Sequence, residues 1–349
     1  MSRWDDVRRW RDRLRAFDVG SEPGALSPEG ARLAFTAALD ALSDPALDVA
    51  AGIPGAPYGE AVVVTARTVP GAPIEWVAAL LGRGARVVVK HPAGDPGWTG
   101  ALVDAARAVG LPLSATSARG EVSTADLVVA MGSDDTAAAV RASARPEAKV
   151  LAFGHRFSVA FVRGSDIAED PVVPDGFRDA WGALAADVAT YDGRGCFSPV
   201  AVFTDADPDV ATEALADALR RAQARWPRGH TSPIEGATTR ARGALARVTG
   251  REITGDGWAV HQLPVEFFEP TTLPRAVALH PVPDVDAAIA AVRPWARWLS
   301  SVATDVPGSG DAWRAIGASR VCSPGRLQRP PLDRLHDGVD WLHEVVRDD

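Results

Sequence analysis

Apolar positions along the chain follow two rhythms. Near the N terminus, Trp4, Val7, Trp10, Leu14 and Phe17 recur every three or four residues, which predicts an amphipathic helix over 3–17. Its apolar stripe is expected to dock on the protein's own body, with a partner surface as the alternative. A second helix is predicted over 28–42, after a Gly/Pro/Ser-rich stretch. From residue 61 the rhythm changes to short unbroken apolar runs: AVVVTA, ARVVVKH, ADLVVAMGS, AKVLAFG and SVAFV. Helical stretches at 73–83, 98–109 and 134–143 lie between them. Runs that are apolar on both sides, alternating with helices, predict a mostly parallel sheet covered on both faces.

Residues 175–190 form a further helical pattern, with Phe177, Trp181, Leu184 and Val188 on one side. The polar stretch YDGRGCFSP follows, then a strand, PVAVFTD. DADPD supplies caps and a first-turn proline for a helix over 209–226. A further α/β region runs to about 305, and a Pro-, Arg- and Gly-rich tail begins at Arg320.

Composition narrows the function. The chain has 349 residues, 46% of them hydrophobic, and a net charge of −8. That length accommodates two domains, and the acidic balance argues against nucleic acid as a partner. No apolar run approaches the roughly 20 residues that cross a bilayer. Two widely separated cysteines give no disulfide framework, so a cytoplasmic setting is expected. Of 37 basic residues only Lys90 and Lys149 are lysines, so a lysine here suggests a need for a compact ammonium. Asparagine is absent, which excludes mechanisms that require its amide. There is no GxGxxG, P-loop or GxSxG stretch. The seven histidines are scattered without metal-ligand spacing, so no metal is expected.

The candidate chemistry centres on Cys196. A packed thiol usually sits in an apolar run, whereas Cys196 follows Gly193, Arg194 and Gly195. That setting suits a presented nucleophile, with a buried inert thiol as the alternative. Only the thiolate attacks well, and Arg194 and the amides near Gly195 are candidates for lowering its pKa. Cys322, in SRVCSPGR, is read as structural. Gly132 and Ser133, in MGSDDT, open a helix whose N–H groups suit a pyrophosphate, although an N-cap serine with no ligand reads the same way. Lys90 ends an apolar strand, either as a cofactor ligand or as a solvated charge.

The stretches TVPG, VVVKHP, MGSDDT, GHRFSVAF, DGRGCFSP, EFFEP and SRVCSPGRLQRPPLDRLHDG occur in the order of the aldehyde dehydrogenase superfamily. Within it they most resemble the acyl-CoA reductases of the bacterial luminescence (LuxC-like) family, over roughly residues 55–340. The resemblance implies an α/β, aldehyde dehydrogenase-like fold with a Rossmann-like cofactor domain and an α/β catalytic domain. It divides the chain into an N-terminal helical segment (1–45), a Rossmann-like NAD(P)-binding domain (46–172), a catalytic domain (173–319) and a C-terminal tail (320–349). It implies Cys196 as nucleophile, Lys90 on the adenosine ribose, Gly132 and Ser133 at the pyrophosphate, Glu266 on the nicotinamide ribose and Phe268 near the ring. Glu269 replaces that motif's usual glycine.

Three departures shape the expected reaction. Ala152 stands where aldehyde dehydrogenases carry the glutamate that activates water, and loss of a positioned base costs roughly 10²–10⁴ in rate. Acyl exchange with a thiol and reduction are therefore expected over hydrolysis. Thr68 replaces the oxyanion-donating asparagine and is the candidate donor in its place, with His155 as a candidate acid. Ala93 replaces a ribose-binding glutamate, which leans towards NADPH, leaving NADPH or NADH as the cofactor. The expected function is NAD(P)H-dependent reduction of an acyl thioester, fatty acyl-CoA above all, to an aldehyde. The alternatives are an aldehyde dehydrogenase and a non-catalytic binding member. The expected partners are acyl-CoA or an acyl-carrier or acyl-transferring protein, with a homo-oligomer possible.

Overall fold

The structure is a computed structural model that describes residues 2–21, 24–66, 68–92, 98–118, 120–164 and 175–347. The chain divides into two compact units. The first comprises Met1–Gly24, Ala34–His155 and Pro330–Asp349, and the second Ala25–Leu33 and Arg156–Arg329.

The first unit opens with helices α1 (Arg3–Arg15), α2 (Pro28–Asp40, shared with the second unit) and α3 (Asp44–Gly52). It continues as β1 (Glu60–Val64), α4 (Pro73–Arg83), β2 (Arg86–Lys90), α5 (Trp98–Arg107), β3 (Leu113–Thr116), β4 (Leu127–Met131), α6 (Asp134–Ser143) and β5 (Lys149–Phe153). The strands form one parallel sheet in the order β3-β2-β1-β4-β5. The valine-rich runs make its centre, because β-branched side chains pack well on a pleat buried on both faces. α4 begins on Pro73 and ends on the left-handed Gly84, the usual asymmetry of helix ends.

The N-terminal stripe docks on its own unit. Val7, Trp10 and Leu14 are buried, and the Trp10 indole donates to the Leu102 carbonyl at 2.9 Å. Gly82 of α4 lets Trp4 approach, since a Cβ there would lie 2.5 Å from the indole. Phe17, past the helix end, stays partly exposed against Phe35. The end of the chain covers α4: Trp341 lies 4.4 Å from Trp76 between ring centroids, and Arg334 forms a double ion pair with Glu75.

The second unit contains β6 (Phe157–Phe161), α7 (Ala180–Ala189), β7 (Pro199–Thr204), α8 (Pro208–Arg225), α9 (Pro233–Thr249), β8 (Arg251–Gly255) and β9 (Trp258–Gln262). It continues with β10 (Ala276–Pro281), α10 (Val285–Val292), β11 (Leu299–Thr304), α11 (Gly310–Ala315) and β12 (Arg320–Cys322). The sheet order is β12-β11-β6-β7-β10-β9-β8, parallel throughout except for the antiparallel edge pair β8–β9. Every residue of α7 is buried, which makes it the central helix of one face.

These units redraw three expected boundaries. The run SVAFV forms β6, which hydrogen-bonds between β7 and β11, so the second unit begins at Arg156 rather than at 173. The N-terminal helices belong to the first unit apart from the start of α2, and the tail is split at Arg329. An apolar run announces a buried strand, but its partner strands are a long-range choice. Among the described residues no helix is long and apolar enough to cross a membrane, and no cluster of side chains is arranged to hold a metal ion.

Candidate active site

The thiol of Cys196 is carried on a turn that leaves α7 in an uncommon conformation. Tyr191 (φ 58°), Asp192 (φ 55°) and Gly193 (φ 74°) are three successive left-handed residues. For a non-glycine residue that region costs about 1–2 kcal/mol and persists only where the surroundings enforce it. Gly193 is needed for room as well, because a Cβ would come within 3.3 Å of the Leu273 carbonyl oxygen.

Asp192 is the enforcing residue. It is fully buried, and its carboxylate accepts from Arg275 Nε at 2.8 Å, the Gly229 N–H at 3.0 Å and Arg194 Nη1 at 3.2 Å. Its carbonyl accepts the Arg275 N–H at 3.1 Å. Arg275 is also buried, donating to Gln223 Oε1 at 3.1 Å, the Ala189 carbonyl at 3.3 Å and the Trp226 carbonyl. Arg194 is ion-paired within the turn. Its guanidinium lies between Asp192 and Glu235, 2.8 Å from Glu235 Oε1, so two carboxylates match its charge. Burial opposes ionisation of Glu235, but the Arg194 and Ser232 hydrogen bonds outweigh it and hold the carboxyl down at about 2. Arg194 therefore braces the turn.

Cys196 is half-buried and forms no disulfide. Its carbonyl accepts the Ser158 hydroxyl at 2.8 Å, and the Ser198 N–H closes a turn on the Gly195 carbonyl at 2.9 Å. Cys322, on β12, differs: burial pushes its thiol up to about 11, which disfavours the thiolate.

Glu266 and Phe268 lie on the connection from β9 to β10. Because these strands and β7 are parallel, that connection starts at the carboxyl end of the sheet, whereas Cys196 precedes the amino end of β7. Residues 263–275 return the chain and finish at Arg275, against Asp192. Glu266 is exposed on the single turn Val265–Phe267. Phe268 is only 8% exposed, enclosed by Phe157, Phe203 and His280, while its neighbour Phe267 is 41% exposed. Arg242 of α9 donates to the Phe267 carbonyl at 3.3 Å and the Glu269 carbonyl at 3.4 Å, so the loop is held with Glu269 in place of the usual glycine.

In the first unit the sheet gathers the other candidates at its carboxyl edge. Lys90 is the last residue of β2 and half-buried; Thr68 is exposed, four residues past β1. Gly132 and the exposed Ser133 join β4 to α6. Ser133 is the N-cap of α6: its hydroxyl accepts the Thr136 N–H at 3.2 Å. A Cβ on Gly132 would lie 3.1 Å from the Thr136 side chain. Ala152 is in β5, its carbonyl accepting Arg141 Nη2 at 2.8 Å. His155, just past β5, is exposed, and its N–H donates to Asp134 Oδ1 at 2.8 Å. Ala93 lies outside the described residues.

Asp187 was the signal that sequence reasoning left unused. It is the one charged residue in AWGALAADVA, an otherwise apolar helix, and it is fully buried. Its carboxylate accepts the N–H groups of Gly325 at 2.7 Å, Gln328 at 3.3 Å and Leu327 at 3.4 Å.

Comparison with known proteins bears on the family and the fold. The family described as acyl-CoA reductase (LuxC) matches residues 99–348. A search of curated proteins finds no match. Among solved structures, aldehyde dehydrogenase 21 from Physcomitrella patens is similar with a TM-score of 0.72 and 15% identity, over 99% of this chain and 84% of that one. Lactaldehyde dehydrogenase from Escherichia coli is similar with a TM-score of 0.71 and 15% identity, over 99% and 85%. An NAD-dependent aldehyde dehydrogenase from Sinorhizobium meliloti has a TM-score of 0.69 and 18% identity, over 93% and 75%. The likeness extends to the N-terminal helices, which the motif resemblance left out. With an aldehyde dehydrogenase fold and a family match over well more than half its length, the chain belongs to the acyl-CoA reductase (LuxC) family.

Proposed function

We propose that this protein reduces an acyl thioester, fatty acyl-CoA above all, to an aldehyde through an acyl group carried on Cys196. The observation that carries this reading is the Cys196 turn. The Cys196 thiol, in no disulfide, sits at the end of a left-handed loop that a buried ion pair holds in place, while the other cysteine is kept protonated by burial.

The cofactor reading fits the first unit. In a 3-2-1-4-5 parallel sheet the switch point lies between β1 and β4, and nucleotides bind outside the carboxyl ends of the strands. Lys90, Gly132 and Ser133 are all at that edge. The N terminus of α6 offers N–H groups to a pyrophosphate, and the first-turn Asp134 carboxylate is occupied by the His155 N–H. Bound NADPH or NADH would supply hydride. Glu266 would hold the nicotinamide ribose from its exposed turn, with Phe268 anchoring that turn beside the ring.

In the proposed reaction the Cys196 thiolate attacks the acyl carbonyl carbon, a C–S bond forms, and coenzyme A leaves as its thiolate. After hydride addition to the Cys196 thioester, the resulting alkoxide collapses, the C–S bond breaks, aldehyde departs and the Cys196 thiolate returns. Thr68 would donate to the oxyanion, and His155 would give the developing alkoxide a proton that it takes back as the C–S bond breaks, the proton consumed overall ending on the coenzyme A thiolate. Ala152 offers only a methyl group where a base would activate water, so hydrolysis of the acyl-enzyme is slow. An acyl-carrier or acyl-transferring protein would serve as donor by the same exchange, and a homo-oligomer is compatible with this chemistry.

Incubation with labelled acyl-CoA and no reductant should leave a thioester on the Cys196 peptide. Once isolated, the acyl-enzyme should lose its label to added coenzyme A at least about 10²-fold faster than to buffer, the scale of a missing base. Full labelling of Cys196→Ser, or label confined to Cys322, would remove the proposed nucleophile. Equal decay in buffer and in thiol would instead favour an aldehyde dehydrogenase.

A further inference from the structure

The tail stretch SRVCSPGRLQ is the one conspicuous motif that the reaction above leaves without a task. We propose that residues 320–328 are a strap that positions the nucleophile loop, with Arg320 and Gln328 as positioning residues. This rests on the reading of Cys196 as the nucleophile.

Three consecutive residues of the loop are each held by a different side chain. The Cys196 carbonyl accepts the Ser158 hydroxyl at 2.8 Å. The Phe197 ring lies under the Arg320 guanidinium, 5.2 Å from its carbon to the ring centroid. The Ser198 hydroxyl accepts Gln328 Nε2 at 2.8 Å, with both residues buried. The second Nε2 proton goes to the Asp187 carbonyl at 3.2 Å. A carbonyl can only accept, so the amide orientation follows from this bond, and both donor positions of Gln328 are used.

The strap is closed on itself by Arg320 and anchored from outside by Asp187. Arg320 Nη1 donates to the Arg326 carbonyl at 2.9 Å, and Nη2 to the Leu327 carbonyl. From the other side the Asp187 carboxylate accepts the N–H groups of Gly325, Leu327 and Gln328. The loop thus cannot shift without breaking buried hydrogen bonds, each of which would leave an unsatisfied buried group. Placement matters for a nucleophile, because an error near 1 Å costs up to about 10²-fold in rate.

The test compares Gln328→Ala, Gln328→Glu, Ser198→Ala and the Gln328→Ala/Ser198→Ala double variant. The Glu variant keeps the shape but removes both donors. Two rates are read by peptide mass: alkylation of Cys196 by iodoacetamide, and its acylation by acyl-CoA. Both Gln328 variants should slow Cys196 acylation about 10- to 100-fold. They should lower kcat per folded molecule, the folded fraction being taken from urea melts because loss of folded protein alone also lowers apparent kcat, with KM for acyl-CoA held within about twofold. Ser198→Ala should share part of the defect, and the double variant should be no worse than Gln328→Ala alone, the non-additivity expected of partners in one contact. Unchanged Cys196 kinetics in folded Gln328→Ala, or fully additive effects, overturn the strap. If the Gln328 variants do not fold, Ser198→Ala decides alone, and wild-type rates there overturn it. Alkylation reports on the thiol whether or not it accepts an acyl group. A wild-type protein that is alkylated but never acylated therefore refutes the reaction while still judging the strap.

Discussion

Asp192 and its neighbours show what a single residue contributes here. The Gly-Arg-Gly approach to Cys196 is legible as a presented thiol, and Gly193 does adopt a left-handed turn. What is not legible is that Tyr191 and Asp192 precede it in the same conformation, or that Arg275 pays the charge balance of Asp192 from 83 positions away. Removing one member of a buried pair leaves the other charged and unpartnered, at a cost of about 3–5 kcal/mol. Asp192→Ala is therefore expected to lower unfolding free energy by that amount in urea denaturation. A loss below about 1 kcal/mol would show that the turn is held by something else.

At the level of elements, the carboxyl edge of the first sheet collects Lys90, Gly132, Ser133 and Thr68 because parallel strands place their ends together. Alternating strands and helices were enough to anticipate this, since a parallel sheet presents all its strand-to-helix loops at one edge. Lys90 on β2 is the residue whose removal tests that edge. If it bonds the cofactor ribose, Lys90→Ala should weaken NADPH or NADH binding by about 1–3 kcal/mol, the scale of a charge-assisted hydrogen bond. Acyl transfer from acyl-CoA to Cys196 needs no nicotinamide and should continue. Equal cofactor fluorescence titrations for both proteins would place the cofactor away from this edge. The second sheet was harder to anticipate. Glu266 and Phe268 fall on a connection that begins at the end of the sheet opposite Cys196, which motif order along a chain does not convey.

Across the whole molecule, buried ionisable groups set an expected response to acid. Burial lowers the pKa of His261 and of His280 to about 4, with charge from Glu252 and hydrogen bonds to the Leu263 and Pro264 carbonyls, respectively, only partly opposing it. Each histidine contributes stability that is present above its ordinary value near 6.5 and is lost as pH falls towards 4, about 3 kcal/mol apiece. Asp187 acts in the opposite sense. Burial raises it to about 6 against the N–H groups it accepts, so its contribution, also about 3 kcal/mol, is present below about 4 and lost as pH rises through 6. Between pH 6.5 and 4 the aspartate offsets about half of what the histidines lose. Asp187→Asn should therefore lose melting temperature more steeply than the wild type over that interval, in scans at pH 7, 5.5 and 4.5. Parallel slopes would mean that Asp187 does not titrate there.

Sequence by itself determined the local features: apolar runs that become buried strands, capped helix starts at Ser133 and Asp207, and a polar glycine turn at Cys196. These depend on side chains within a few residues of one another, so periodicity and residue type suffice to read them. Motif order added the family. Tertiary structure decided the rest: that β6 joins the second sheet, that Arg194 braces two carboxylates, that Phe268 is enclosed by aromatic rings, and that Gln328 reaches Ser198 across 130 positions. Those outcomes depend on which distant groups share a buried space. A buried charge or amide must find its partner wherever folding brings one, and no local pattern specifies where that is.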